Sequence, residues 1–281
     1  MHSAFSFQGP QTMRLSRTAL SVGIALGCIL VSSPAFAGTA WDDIRASVFG
    51  NKAIVDGREL IKLSAPGRPE DMRVVPIGVD VALGDRRTIK TITVLIDENP
   101  TPVVAVFHMG KARDTAKITS HFRVDRQSDV RVVVEASDGQ LYMVSQLIKF
   151  AGGQSSCAAP PTGDPIEIAA SMGQMTLAPV AATGGATPVL ARAKLNLRHP
   201  NHTGMVMDQQ TLLYTLMNMV SDIRVQSGDD LILAVEGSIA LSQDPMIEFD
   251  YPRGGHHEMT VTFKDTDGGA WTRTFQMGPQ S

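Results

Sequence analysis

SDVRVVVEASDGQLYMVSQLIKF, residues 128–150, runs β-branched residues in alternation into Asp138-Gly139 and resumes the alternation around Tyr142. Asp-Gly between two such runs specifies a tight antiparallel hairpin, because a glycine there accepts the positive φ that the turn needs. The same design returns at 258–276, EMTVTFKDTDGGAWTRTFQ, with Asp267-Gly268 at the turn and Trp271 in the place of the aromatic. Two hairpins of one design, far apart in the chain, predict two units of one antiparallel architecture.

The flanking sequence agrees. MRVVPIGVDV (72–81), IKTITVLIDENPTPVVAVFHM (89–109) and AKITSHFRV (116–124) precede the first hairpin, and ARAKLNLRHP (191–200), MVSDIRVQSGDDLILAVEG (219–237) and PMIEFDYP (245–252) precede the second. These are strand-length runs rich in Val, Ile and Thr, punctuated by turn signals, a pattern that gives an antiparallel sandwich and not βαβ units. Ile89, Thr91, Thr93 and Leu95 alternate with Lys90, Ile92, Val94 and Ile96, so both faces carry apolar residues and the strand is expected to be covered on both sides. Helix is scarce. The best candidate is TAWDDIRASVFG (39–50), where Trp41, Ile44, Val48 and Phe49 can share one face. The expected fold is therefore all-β: two β-sandwich domains, 38–150 and 189–281, packed on one another through an apolar face.

Residues 151–188 between them are dominated by Gly, Ser, Ala and Pro. Such a stretch offers little apolar surface to offset the entropy of ordering its backbone, and it reads as a flexible linker. Ile166, Ile168 and Met172 could still dock it locally, as an edge strand or by loop packing.

At the amino end, Arg14 and Arg17 precede an apolar run from Leu20 to Val31, and Ala35, Phe36 and Ala37 follow. This is the pattern of a cleavable export signal, 1–37, with an apolar core too short to span a bilayer comfortably. Its removal predicts a periplasmic chain with no membrane segment. Loss of Arg14 and Arg17 leaves 23 basic against 28 acidic residues, a formal charge of −5, which argues against nucleic acid as a partner.

Cys28 lies in the signal, so the mature chain keeps one cysteine, Cys157, in KFAGGQSSCAAPPTGDP (149–165). A lone cysteine is most often a small buried hydrophobe. Here the neighbours are Gly152, Gly153, Ser155, Ser156, Ala158 and Ala159, poor material for a pocket, and the sequence reading places the thiol exposed on an arm made flexible by Gly152, Gly153 and Gly163. A glycine-rich tether cannot hold a base and an oxyanion site in register, and there is no Cys-x-x-Cys pair to resolve a mixed disulfide. Those features favour a thiol that carries a covalent group over one that turns substrate over, so no catalytic residue and no cofactor is expected. No basic residue adjoins Cys157, so no strong local lowering of its pKa is expected.

The remaining candidates are weaker. His199 and His202, with Asn201 and Asp208 nearby, lack the third and fourth ligand of a metal site and read as a loop leaving a strand; His256 and His257 sit just before a strand. Met217 and Met219 read as packing residues. The adjacent pairs Asp42 and Asp43, and Asp229 and Asp230, diverge in direction and suit solvent better than acid–base work. No phosphate loop is present in the sequence.

The chain resembles the fused SoxYZ-like sulfur carriers, in particular those associated with quinoprotein dehydrogenases. The SoxY likeness lies in VFGNKAIVDG (48–57), KLSAPGRPEDMRVVPIGV (62–79), IKTITVLIDENPTPVVAVF (89–107) and 128–150; the SoxZ likeness lies in RHPNHTGMVMD (198–208), ALSQDPMIEFDY (240–251) and MTVTFKDTDGGAWT (259–272). The resemblance implies immunoglobulin-like sandwiches and a carrier cysteine, Cys157 by match. It also implies partner redox enzymes of a Sox-like or quinoprotein system. The family arm ends the chain as Gly-Gly-Cys-Gly-Gly; here Gln154, Ser155 and Ser156 intervene, alanines follow and a second domain continues. Partners would have to accept a loop. Two rivals stand beside the carrier: a docking module in which Cys157 is incidental, and a thiol enzyme.

Overall fold

A computed structural model describes residues 40–277 apart from 111–112, 151, 153–154, 181–189, 253 and 255–256. The export-signal expectation falls outside these residues, as do Gly153 and His256. No helix among the described residues is long and apolar enough to cross a membrane.

The described residues are mostly β with two short helices, and their strands form two sheets. In the first half, β1 (Ile54–Asp56), β8 (Leu141–Ile148), β7 (Ser128–Ala136), β4 (Ile89–Ile96) and β5 (Val103–Met109) lie side by side, with β1 parallel to β8 and the others antiparallel. The facing sheet holds β2 (Ile61–Ser64), β3 (Val75–Ala82) and β6 (Thr115–Phe122). The second half gives β12 (Asp230–Glu236), β11 (Val220–Ser227), β14 (Glu258–Asp265) and β15 (Ala270–Gln276) to the first sheet, and β13 (Met246–Pro252), β10 (Leu190–Leu197) and β9 (Met175–Val180) to the second. Both Asp-Gly hairpins form as read, with Gly139 at φ 84° and Gly268 at φ 89°.

The halves are joined differently from the expectation. Two separate sandwiches packed through an apolar face were expected; edge strands in fact pair, β5 with β12 and β6 with β13, so nine- and six-stranded sheets run through both halves. Backbone ladders in both layers make the join, and one apolar cluster continues across it, from Ile77, Phe107 and Phe122 to Leu233, Phe249 and Tyr251. The described residues form one compact unit. The seam needs close backbone approach: a Cβ on Gly110 would fall 1.6 Å from the Leu231 carbonyl oxygen.

The helix α1 (Ala40–Phe49) explains the two-sided apolar strand. Ile92, Val94 and Ile96 of β4 face the sandwich interior, whereas Leu95, with Val133 and Leu141, joins Ile44 of α1 in a second cluster on the outer face. Trp41 and Phe49 pack against that cluster, while Val48, expected on the same face, is exposed.

The expected linker is in large part built into the fold. After the Cys157 loop come α2 (Pro165–Ser171), capped by the Asp164 carboxylate on the Ile166 N–H, and β9, which extends the second sheet beside β10. Residues 166 and 168 therefore sit on a helix, and the edge strand lies further along. Pro179 in β9 is suited to a sheet edge, where no ladder donor is missed.

Candidate functional site

The site lies where β6 ends. Phe122 is the last residue of the strand and is bridged to Leu241, and the chain continues through Arg123, Val124 and Asp125, all buried. Arg123 N–H donates to the Ala240 carbonyl at 2.7 Å. Its side chain carries a charge into the interior and finds carbonyl oxygens there: Nη1 donates to Ile239 O at 3.0 Å and to Leu241 O, and Nη2 to Pro200 O at 3.4 Å. Burial lowers the Arg123 pKa to about 10.

Asn99, in the turn between β4 and β5, fixes this segment from the other side. Its Nδ2 donates to Arg123 O at 2.8 Å and its Oδ1 accepts from Asp125 N–H at 2.9 Å. Asp125 thus holds a buried carboxylate towards the Cys157 loop. Oδ1 accepts the Ser155 hydroxyl and, at 3.1 Å, the Cys157 N–H. From the second half, the Thr203 hydroxyl donates to Cys157 O at 2.6 Å. The loop is clasped on both sides by hydrogen bonds.

The exposed thiol of the sequence reading is corrected here: Cys157 is 0% exposed. Distant polar residues hold the loop in place. Cys157 belongs to neither apolar cluster; Asp125 and Thr203 bond its backbone, and Asp125, Ser156 and Arg123 act on its thiol. Burial, and then the negative charge of Asp125, push the thiol pKa up to about 12, with Ser156 and Arg123 pulling the other way. At neutral pH the enclosed sulfur is a protonated, unreactive thiol. Of the three arm glycines, Gly152 and Gly163 adopt positive φ, 98° and 112°, and so shape turns at either end of the loop.

The loop that supplies Thr203 is locked by Asn201, which is fully buried at φ 49°. Asparagine tolerates this left-handed conformation better than most residues. Its Nδ2 reaches Leu241 O at 2.8 Å and Ser238 O at 3.2 Å, and its Oδ1 accepts Val220 N–H at 2.8 Å. Arg123 and Asn201, one from each half, thus hold the same 238–241 turn. Asn201 N–H donates to His199 Nδ1 at 3.0 Å, which places the ring proton on Nε2, 3.3 Å from Asp265 Oδ2. His199 is a structural residue, packed edge-on against Phe263 and Trp271. Burial lowers its pKa and that of His202. No cluster of three or more potential metal ligands occurs among the described residues.

Met217 departs from the packing expectation. Residues 205–217 form a hairpin-like excursion, bridged between Met207 and Tyr214, that exposes Leu212, Leu213, Tyr214, Leu216 and Met217. Sequence reasoning also missed Asn99, Arg123, Asp125 and Thr203, and weighed Asn201 only as a neighbour of His199 and His202. Their one shared signal is polar residues set at short spacing beside strand ends, as in FRVD (122–125) and HPNHT (199–203), and that signal is common in exposed loops.

Two family models match the chain: sulfur oxidation protein SoxY over residues 45–154 and sulphur oxidation protein SoxZ over residues 182–276. Cys157 falls between the two matched segments. Among solved structures, the sulfur carrier protein SoxY from Chlorobium limicola f thiosulfatophilum is similar at 26% identity, over 40% of this chain and 96% of that one, with a TM-score of 0.34. A putative superoxide reductase from Thermotoga maritima is similar at 16% identity, over 35% of this chain and 93% of that one, with a TM-score of 0.30. No curated protein matches the chain.

Proposed function

From the premise that this chain belongs to the fused SoxYZ-like sulfur carriers, a SoxY half followed by a SoxZ half, we propose that it holds sulfur-containing intermediates covalently on the Cys157 thiol. The chain is a carrier in sulfur oxidation and not an enzyme; the partners in this reading are periplasmic enzymes that load and process the cargo. One observation carries the assignment to Cys157. The loop that carries the sulfur is held by hydrogen bonds from both halves, Asp125 on the Cys157 N–H and Thr203 on its carbonyl, so the contacts that fix it in place are ones that water can replace.

The closed loop then has a role. A thiol held near pKa 12 is protected from adventitious oxidation, and release of the Asp125 and Thr203 contacts returns it to solvent, where the ordinary thiol pKa of about 8.5 makes it a usable nucleophile. Loading requires the open loop.

A second reading, a docking module for a periplasmic quinoprotein dehydrogenase system with Cys157 incidental, is favoured by the burial of the sulfur and by the exposed apolar tip at 212–217. The intact mass of protein purified from its native cells without reductant, followed by peptide mapping, separates the two. Reducible sulfur or sulfur-oxyanion additions on Cys157, and loss of function in Cys157→Ser, are the expected result. An unmodified Cys157 in cells oxidising sulfur compounds, with Cys157→Ser fully functional, would establish the docking module instead.

A further inference from the structure

Beside the Cys157 loop lies a cavity of about 260 Å³ whose lining includes Arg73, Arg123 and Arg198. One wall is the chain immediately after the cysteine, Ala159 to Thr162. Thr162 is pinned in place by Gln243, which accepts its N–H at 2.7 Å and donates to its carbonyl at 2.9 Å. Arg123 borders both spaces: it lines the cavity, and its positive charge acts on the Cys157 sulfur.

The charges in this cavity do not cancel. Asp71 holds Arg73 through Nε and Nη2 at 3.0 and 2.8 Å, and Asp244 holds Arg198 through Nη1 at 2.5 Å. Each carboxylate orients its guanidinium and leaves other N–H groups of that fork free of it. Arg123 has carbonyl partners but no carboxylate partner among the described residues, and it is close enough to Arg73 for the two charges to oppose each other. Three guanidinium groups against two carboxylates leave one positive charge in a partly enclosed space, with planar donors suited to the oxygens of a tetrahedral anion.

We propose that this cavity is a cradle for a sulfur oxyanion: the –SO3⁻ end of a group carried on Cys157, or the same group on a free ion. The identity of the anion rests on the carrier reading, since oxidised sulfur presents this group; the cradle itself rests on the arginines.

The test uses the full chain and two probes. In the first, wild type and Cys157→Ala are titrated with sodium thiosulfate at low ionic strength, with sodium chloride as the control for bulk charge. Saturable one-to-one binding is expected, weakened at least tenfold by Arg73→Gln and by Arg198→Gln, and less by Arg198→Lys, which keeps the charge and guards against a folding artefact.

In the second, Cys157 is loaded with tetrathionate at pH 9. The thiolate attacks one of the two central sulfurs, the central S–S bond breaks, thiosulfate leaves with the electron pair, and Cys157 retains –S–SO3⁻. The rate at which dithiothreitol strips this adduct is followed by mass. Stripping that accelerates at least tenfold in Arg198→Gln, together with loss of thiosulfate binding to the loaded protein, assigns the cradle to the carried group. Unchanged stripping with thiosulfate still binding the loaded protein assigns it to the free ion. Absence of saturable binding to wild type and Cys157→Ala, or binding and stripping both indifferent to Arg73 and Arg198, overturns the cradle. A Cys157 that accepts no adduct at all defeats the carrier reading alone, because the Cys157→Ala titration measures the cradle independently.

Discussion

The protein closes two interiors by opposite means. Between the sheets, Phe107, Phe122, Phe249, Tyr251 and Phe263 are sealed by apolar contact, which gives way only when the fold does. Around Cys157 the loop is held by hydrogen bonds to the Asp125 carboxylate, worth roughly 1.5–3 kcal/mol net, and from the Thr203 hydroxyl, worth about 1 kcal/mol. Both sulfur and aromatic rings are fully buried, yet in the carrier reading only the sulfur sits behind a loop that lifts without unfolding the sheets. Burial alone does not say whether a group is stored or locked away; the chemistry of its cover does.

The largest expected effect separates the two seals by pH. An open thiol near its ordinary pKa reaches its maximal alkylation rate above about pH 9. With the closed thiol raised to about 12, the proton is held more tightly closed than open, so stability of the closed loop is full below the open-state pKa and is lost as pH rises from there towards 12. The logarithm of the alkylation rate should therefore keep climbing with unit slope past pH 9, where a free thiol levels off. A plateau at pH 9 would show that Cys157 is open in solution.

Next in size, Phe249→Ala should cost about 3–5 kcal/mol of global stability, seen as a lower denaturation midpoint. Asp125→Ala should do the converse: alkylation of Cys157 rising on the order of 10–100-fold, from the roughly 1.5–3 kcal/mol of hydrogen bonds to a charged group, with a much smaller loss of midpoint. If both variants lower midpoint and protection in parallel, the two seals are one cooperative unit and the contrast fails. Smallest is Thr203→Val, which removes one bond to the Cys157 carbonyl and should speed alkylation by about threefold to tenfold. An unchanged rate would mean that the first half closes the loop alone.

Local chemistry made much of this fold legible. Asp138-Gly139 and Asp267-Gly268 turn where their residue types dictate, and the apolar spacing of Trp41, Ile44 and Phe49 gives α1. The double-sided apolar pattern of β4 announced a cover on each face, and the helix proved to be one of them. What stayed hidden is long-range. Nothing in VVAVFHM marks β5 as a strand that will find β12 across the chain, because an edge strand and an interior strand differ in what pairs with them and hardly in composition. Cys157 was misplaced for the same reason. The residues that hold its loop in the interior, Asp125 and Thr203, lie 32 and 46 positions away.

The seam between the halves also sets an order of events. Leu233 pairs with Met109 and Ile247 with Ser120, contacts that close loops of more than a hundred residues and are slow to form for that reason. Until they form, β5 and β6 are open sheet edges, and Thr203 has not reached the Cys157 carbonyl. A nascent chain thus passes through a stage with unpaired strands and an uncovered sulfur together. The ladders that join the halves are also what bring Thr203 within reach of the cysteine's loop.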